Sequence, residues 1–318
     1  MNPNWQNFLL SLQATIDGEA AIRFPATSDY NDKTICPVVD LAVLTVSGAD
    51  AGRLLQGQVT CNVNELTDTQ SSLGALCNPK GRAITTFLLV KTGAAFLMIL
   101  PTELLAPVKK RLQMYVLRSD VSLTDSSDTH CLIGLCQPAT QAVPLFCTSR
   151  QDDVITVNFS ATHSRYLLIA ETDKAIALWS ERVGELGYQP ENSDHWRYLD
   201  ILGGIPWLTT ATSEEFIPQM LNLDLLGGIS FNKGCYTGQE IVARTHYLGK
   251  AKRALFLAAC DTPDTPTPNS DIIDADGLAV GKVLQAAHEY KGAPCKMLAV
   301  LQLADGGAYN LKLKSYSK

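Results

Sequence analysis

The sequence lacks the features that define several large functional classes. Basic residues are not in excess, because 26 Lys and Arg stand against 32 Asp and Glu, for a net charge of −6. Since general polyanion binders carry a basic face, direct nucleic-acid binding is not predicted. Long apolar runs are absent, and the longest, at 94–100, is far short of a membrane span. The N-terminus has no basic leader, so we predict a cytoplasmic protein with no membrane partner.

Familiar catalytic and metal-binding motifs are also missing. The chain contains no G-x-G-x-x-G dinucleotide loop, no G-x-S-x-G nucleophile elbow and no zinc-protease helix. His130, Cys131 and Cys136 lie close in sequence, but no second pair of ligands follows them, so we predict core residues and no metal site. The nine cysteines have no regular spacing, and their odd number is typical of thiols in a reducing compartment.

The length and the residue patterns predict a globular α+β protein. With 318 residues, of which 46% are hydrophobic and 18% charged, two or three domains are expected. Strands run in hairpins with helices between groups of strands, and after about residue 249 short apolar runs alternate with glycines, which is typical of a small β-barrel. Strands are predicted at 39–47, 73–77, 82–91, 95–100, 131–136, 166–170 and 252–260, and helices at 51–57, 102–115, 173–186 and from 193.

The segment FNKGCYTGQE, residues 231–240, combines a helix start with a cysteine. Thr237 and Glu240 have the spacing of a capping box, which accounts for the helix without any role for Cys235. Cys235 would lie near the positive end of that helix, with Lys233 close by and Gly234 leaving room for another group. These features stabilise a thiolate.

The surroundings of this cysteine are basic in a chain that is acidic overall. Two interpretations stay open on the residues alone: a buried structural cysteine in a turn, or a reactive thiol in an anion-binding cleft. The net charge of +4 between residues 231 and 255 comes from Lys233, Arg244, Lys250, Lys252 and Arg253 against Glu240.

Three further runs accompany this segment: 216–219, 221–223 and 227–231. Together they closely resemble the YgfZ-type folate-binding proteins, as do the upstream turns at 48–50, 56–59 and 78–82. The resemblance covers most of residues 38–255. The motif residues are Lys233, Gly234, Cys235, Tyr236, Thr237, Gly238, Gln239, Glu240 and Arg244.

The resemblance implies a fold similar to the aminomethyltransferase of the glycine cleavage system, a ring of domains around a central channel that binds tetrahydrofolate or a derivative. It implies a folate-binding core at 1–248, with subdomains at about 38–125 and at 1–37 with 126–248, and a β-barrel at 249–318. It also implies a functional Cys235 in an accessory protein that supports iron–sulfur enzymes and tRNA modification.

The chain departs from these relatives at two places. Aminomethyltransferases carry an Asp-Asp pair where this chain has Thr85 and Thr86, and a hydroxyl cannot perform the acid–base work on an amine. We therefore predict no conventional aminomethyltransferase activity. Of two tryptophans that the family pattern implies for folate, Trp196 is present, and Leu41 occupies the position of the other. The alternatives are a folate-dependent one-carbon transferase or demethylase, and a thiol redox sensor that needs no folate.

Overall fold

A computed structural model describes residues 1–17, 21–25, 31–138, 142–160, 164–249, 251–260, 264–290 and 292–303, with the backbone of 312 and 313. No helix in these ranges combines the length and the apolar character needed to cross a membrane. The α-helices are α1 Pro3–Ser11, α2 Ala51–Gln56, α3 Thr102–Val116, α4 Thr172–Gly184, α5 Ser193–Leu202 and α6 Gln239–Tyr247. Two 3-10 helices cover Val63–Glu65 and Pro218–Leu221.

The strands confirm a mixed α+β fold. They are β1 Thr15–Asp17, β2 Ala21–Arg23, β3 Thr34–Pro37, β4 Leu41–Ser47, β5 Ser72–Cys77, β6 Ala83–Thr92, β7 Ala95–Pro101, β8 Ser122–Asp125, β9 His130–Gln137, β10 Thr148–Gln151, β11 Val154–Asn158, β12 Ser164–Glu171, β13 Gln189–Pro190, β14 Arg253–Cys260, β15 Asp271–Ile273, β16 Ala279–His288, β17 Cys295–Gln302 and β18 Lys312–Leu313.

Most predicted elements are present within one or two residues of their expected ends. The helices predicted at 51–57, 102–115 and 173–186 are α2, α3 and α4, and α5 begins at the predicted Ser193. The sequence did not predict β10, whose residues TSRQ are mostly exposed at the edge of a sheet. A short polar edge strand has no buried face to impose an apolar alternation.

The chain divides into two compact units that exchange segments along the sequence. Because residues 198–318 fall within a single unit, this division does not follow the predicted boundary near residue 249, which stays a prediction. Unit 1 consists of residues 1–52, 64–72 and 88–197, and unit 2 consists of residues 53–63, 73–87 and 198–318.

Unit 1 contains a six-stranded sheet in the order β10-β11-β12-β9-β3-β13, with α1 and α4 packed together beside it. All its neighbouring strands are antiparallel except β3 and β13. The core here is aromatic: Trp5 meets Trp179 edge-on with centroids 5.6 Å apart, and Phe24 stacks on Trp179. A second set of strands in unit 1 has the order β7-β4-β8, and α3 packs against β4 and β7.

Unit 2 contains β5, the start of β6 and the C-terminal strands. These last strands form an antiparallel sheet in the order β14-β17-β16-β15-β18. It does not close on itself in the described residues, so the predicted C-terminal barrel is not confirmed. Its core is made of Ile272, Val280, Val283, Met297, Ala299 and Leu301.

Candidate functional site

Lys233 is buried in unit 2. Its side chain is 8% exposed, and Nζ donates hydrogen bonds to the carbonyl oxygens of Val59 (2.7 Å) and Cys61 (2.8 Å). The ammonium also lies 5.1 Å from the centre of the Tyr236 ring. Lys233 therefore connects the cysteine segment to residues 59–61, and its positive charge interacts with carbonyl oxygens inside the protein.

Burial shifts the ionisation of the groups around this lysine. It lowers the pKa of Lys233 to about 8, against the attraction of Cys61, and it raises the pKa of Cys61 to about 12. Cys61 is consequently a thiol at neutral pH, and the pair is an ammonium facing a neutral sulfur and two carbonyl dipoles. Lys233 and its partners therefore hold the backbone of the cysteine segment in place.

The helix after Cys235 does not begin as the capping-box prediction required. The N-cap of α6 is Gly238, in the left-handed region at φ 83°, and no side chain caps it. Thr237 instead donates its hydroxyl hydrogen to Oε1 of Gln58 at 3.1 Å. Gln239, rather than Glu240, reaches back, with its Oε1 accepting from the Tyr236 amide at 3.3 Å. The capping-box prediction is wrong because Thr237 is engaged by a distant loop.

Two glycines allow the turn at residues 78–82 to approach the start of α6. A Cβ placed on Gly238 would lie 2.6 Å from the carbonyl oxygen of Asn78, and one on Gly81 would lie 2.7 Å from the Ile241 side chain. Both glycines have positive φ, which other residues adopt at a cost. The family-type turn after Asn78 and the cysteine segment are therefore adjacent in unit 2, as parts of one structure.

Cys235 is the exposed thiol of this assembly. All nine cysteines fall in the described residues, none is in a disulfide, and Cys235 alone is classed as exposed. Its neighbours Lys233 and Tyr236 are buried, and Thr237 is hydrogen-bonded to Gln58, whereas a Cβ on Gly234 would meet open space. The segment is held on both sides of a cysteine that faces solvent.

The basic surface predicted around Cys235 is smaller than the sequence suggested. Lys233 points into the protein, so its charge is not on that surface. Arg244 on α6 and Lys252 are exposed, and Arg253 is half-buried. Lys250 lies outside the described residues. The helix also begins one residue later than predicted, with its N-cap at Gly238 instead of Thr237. A thiolate at Cys235 therefore has neither the charge of Lys233 on its surface nor the helix amides at the predicted positions.

Thr85 and Thr86 are fully buried on β6, and their hydroxyls satisfy backbone groups. Thr85 donates to the Thr86 carbonyl at 2.9 Å. Thr86 donates to the Pro206 carbonyl and accepts from the Leu208 amide. These hydroxyls hold the 206–208 segment, and neither supplies a carboxylate for proton transfer.

Trp196 lies in the core of unit 1 on α5. It is fully buried, meets Phe159 edge-on at 5.4 Å and has the Arg165 guanidinium 4.5 Å from its ring centre. A Cβ on Gly134 would lie 2.2 Å from its ring, so that glycine makes room for the indole. This environment is that of a core anchor, and a role in folate binding stays a prediction. Leu41 is 6% exposed at the start of β4.

The cysteines considered for a metal have other surroundings. Cys131 is buried beside the Thr172 hydroxyl at 3.7 Å, and burial raises its pKa to about 11. Across the described residues there is no cluster of three His, Cys, Asp or Glu side chains arranged to hold a metal ion.

Several supporting residues were not singled out from the sequence. Gln58 accepts the hydrogen bond of Thr237, and the buried Gln219 donates from Nε2 to the Val242 carbonyl at 2.6 Å, which holds α6. Asp200, 1% exposed, accepts a 2.7 Å hydrogen bond from the Trp207 indole. Gln58 and Gln219 lie inside the runs that resemble the family, and this position in the sequence could have identified them. Asp200 lies outside those runs, so the sequence contains no indication of its role.

The fold places the chain in a known class. The family model described as the GCVT N-terminal domain matches residues 31–190. The crystal structure of the glycine cleavage system aminomethyltransferase T from Bartonella henselae is similar over 99% of this chain and 97% of that chain, with a TM-score of 0.74. At 12% sequence identity this similarity shows a shared fold, that of the aminomethyltransferases.

Sequence relatives define the family within that class. The tRNA-modifying proteins YgfZ of Shigella boydii and Escherichia coli are each 34% identical to this chain over 260 residues, which is 79% of both sequences. The protein of that name from Colwellia psychrerythraea is 33% identical over 262 residues, with the same coverage. The chain belongs to the YgfZ family, which confirms the resemblance carried by the cysteine segment.

Proposed function

We propose that this protein is a folate-binding accessory protein that supports tRNA modification, and that Cys235 is its functional thiol. The observation that carries the proposal is the exposure of Cys235 on a segment fixed by Lys233, Thr237 and Gly238. A thiol needed only for packing would be buried, as Cys61 and Cys77 are in the same unit. The relatives are tRNA-modifying proteins by name, which gives the pathway of the proposal.

Tetrahydrofolate or a derivative is the proposed ligand, bound in the central channel that the aminomethyltransferase resemblance implies. Trp196 is the proposed folate-binding residue of unit 1. The proposed partners are the reduced folate and iron–sulfur enzymes such as those that modify tRNA, and the proposed location is the cytoplasm. Support comes from the GCVT domain match and from the shared fold.

Aminomethyl transfer is not part of the proposal. The hydroxyls of Thr85 and Thr86 are consumed by backbone hydrogen bonds, so the carboxylate chemistry expected of a one-carbon transferase has no group at these positions. We expect no turnover above the uncatalysed rate when the protein is given tetrahydrofolate and an aminomethylated carrier. Measurable turnover would support the alternative of a one-carbon transferase or demethylase.

The proposal is tested in bacterial cells from which the family member has been deleted. We expect the wild-type chain to restore the modified nucleosides of tRNA, quantified by mass spectrometry, and Cys235→Ser to fail although it accumulates to the same level. Cys147→Ser is the matched control, because Cys147 is a half-buried thiol in unit 1. Full restoration by Cys235→Ser would remove the thiol from the function.

A further inference from the structure

Two cysteines of unit 2 lie directly opposite each other in the C-terminal sheet. Cys260 ends β14, Cys295 begins β17, and the two are paired in the antiparallel register. Residues paired in this way have Cα atoms about 4.5–5.5 Å apart and side chains on the same face. Disulfides need Cα separations of about 4.4–6.8 Å, so the backbone already meets this requirement.

The two sulfur atoms also interact. Burial, followed by a hydrogen bond with the Cys260 thiol, raises the pKa of Cys295 to about 12. Cys295 is fully buried, whereas Cys260 is half-buried at the end of an edge strand. An external reagent therefore reaches Cys260 first.

A histidine completes the row on the third strand. His288 of β16 is paired with Cys295 on the side away from Cys260. Its Nδ1 lies 2.7 Å from the Ala293 carbonyl oxygen, which can only accept, so Nδ1 carries the proton. Its Nε2 is buried and has no hydrogen-bond partner among the described residues. In the neutral ring Nε2 then holds a lone pair, on the residue that is paired with Cys295, while the Cys295 thiol donates to the Lys296 carbonyl oxygen at 3.5 Å.

We propose that Cys260 and Cys295 form a reversible modification site, a thiol pair that closes to a disulfide when it meets a low-molecular-weight disulfide, with His288 as the proton acceptor. Cys260 loses its proton to solvent, and its thiolate attacks the small disulfide, forms a mixed disulfide and releases one small thiolate, which takes up a proton from solvent. Cys295 then passes its proton to Nε2 of His288 and attacks the Cys260 sulfur. The second small thiolate leaves and takes up that proton. One small disulfide is reduced to two thiols, and the protein pair is oxidised.

The consequence of closure is local to the edge of the sheet. Within the described residues β14 lies at the edge of its sheet, where it pairs with β17 up to Cys260. A covalent link at Cys260 would prevent this end of β14 from separating from β17. The oxidation state of the pair therefore depends on the ratio of small disulfide to small thiol around the protein, and oxidation makes the edge strand more stable. This effect is independent of Cys235 and of the proposed folate function.

The test treats the full-length protein with glutathione disulfide under native conditions, followed by acid quench, alkylation and peptide mapping by mass spectrometry. We expect the peptides of Cys260 and Cys295 to be the main linked pair and to separate on reduction. Cys295→Ser should leave Cys260 as a glutathione adduct, and Cys260→Ser should abolish the link. Cys147→Ser, the control, should leave it unchanged.

His288→Gln should accumulate the Cys260–glutathione adduct, with closure about 100-fold slower than in the wild type. Closure at the wild-type rate would overturn the role of His288. If both Cys260 and Cys295 are still alkylated quantitatively after denaturation, or if Cys260 links to another cysteine instead, the proposed site is wrong. Because Cys260 is half-buried, Cys260→Ser keeps the test decisive even where Cys295→Ser unfolds the protein.

Discussion

Lys233 illustrates how one residue of a recognised motif can have a different role from the one its charge suggests. Its position two residues before Cys235 indicated an electrostatic partner for a thiolate. In the structure Nζ instead donates to the carbonyl oxygens of Val59 and Cys61, which lie 174 and 172 residues away in sequence. A single sequence contains no signal for a contact between segments so far apart, so motif membership was predictable and the contact was not.

The burial of Lys233 predicts how the free energy of unfolding changes with pH in the alkaline range. The unfolded lysine holds its proton up to a pKa of 10.5, whereas burial lowers the folded pKa to about 8. The unfolded state therefore binds more protons between these values, and the contribution of Lys233 to the free energy of unfolding rises with pH across the window, by up to about 3 kcal/mol. Below pH 8 the charged lysine is the form that folding has to bury.

We expect Lys233→Met to lose this contribution. Urea unfolding of both proteins between pH 8 and 10.5 measures it, and the difference between them removes the opposite effect of buried thiols such as Cys61. Lys80→Met, which changes an exposed lysine of unit 2, is the control and should follow the wild type. A constant difference between Lys233→Met and the wild type across the window would contradict the assigned shift.

A substitution of Trp196 distinguishes a role in the core from a role in folate binding. If its indole contributes stacking to a reduced folate, about 1 kcal/mol beyond buried area, Trp196→Leu should weaken binding about fivefold by calorimetry. Trp179→Leu removes another buried tryptophan from unit 1 and should leave the affinity unchanged. Equal affinity of Trp196→Leu and the wild type would assign Trp196 to the core alone.

At the scale of elements, the start of α6 depends on glycine. Gly238 has φ 83° and would place a Cβ 2.6 Å from the Asn78 carbonyl oxygen, whereas a Cβ on Gly234 would meet nothing within 4 Å. We expect Gly238→Ala to lower the free energy of unfolding by about 2 kcal/mol or more. Gly234→Ala should change it by less than about 0.5 kcal/mol. Equal losses in urea unfolding would show that the close approach to Asn78 is not required.

Elements with a strong apolar pattern were predictable, and those shaped by distant contacts were not. β4 and β7 are short, almost continuously buried apolar runs, and α3 has its buried residues at helical spacing, so both patterns can be read from the sequence. The start of α6 was predicted one cap too early, since Thr237 bonds to Gln58 on another loop. The exposure of Cys235 follows from the same long-range contacts, so sequence left its packing and functional interpretations open.

At the scale of the whole molecule, the exchange of segments between the units predicts whether a fragment of the chain can fold alone. Unit 2 needs residues 53–63 and 73–87 in addition to 198–318. The fragment 198–318 lacks the carbonyl oxygens that hold Lys233 and the glutamine that holds Thr237. We expect this fragment, expressed alone, to show neither the dispersed amide spectrum nor the cooperative unfolding of the full chain. A folded fragment with native-like spectra would contradict the division.

The chain fixes the segment around Cys235 so that this thiol is the most exposed of the nine, whereas Cys136, Cys147 and Cys260 are half-buried and the others are buried. The most direct measurement is the native-state alkylation rate of each cysteine, followed by quench and residue-by-residue mass spectrometry at neutral pH. The account predicts that Cys235 reacts first and at least about tenfold faster than the half-buried Cys147 and Cys260, because access limits the reaction of the other thiols. Reaction of Cys235 at the same rate as Cys147 or Cys260 would contradict it.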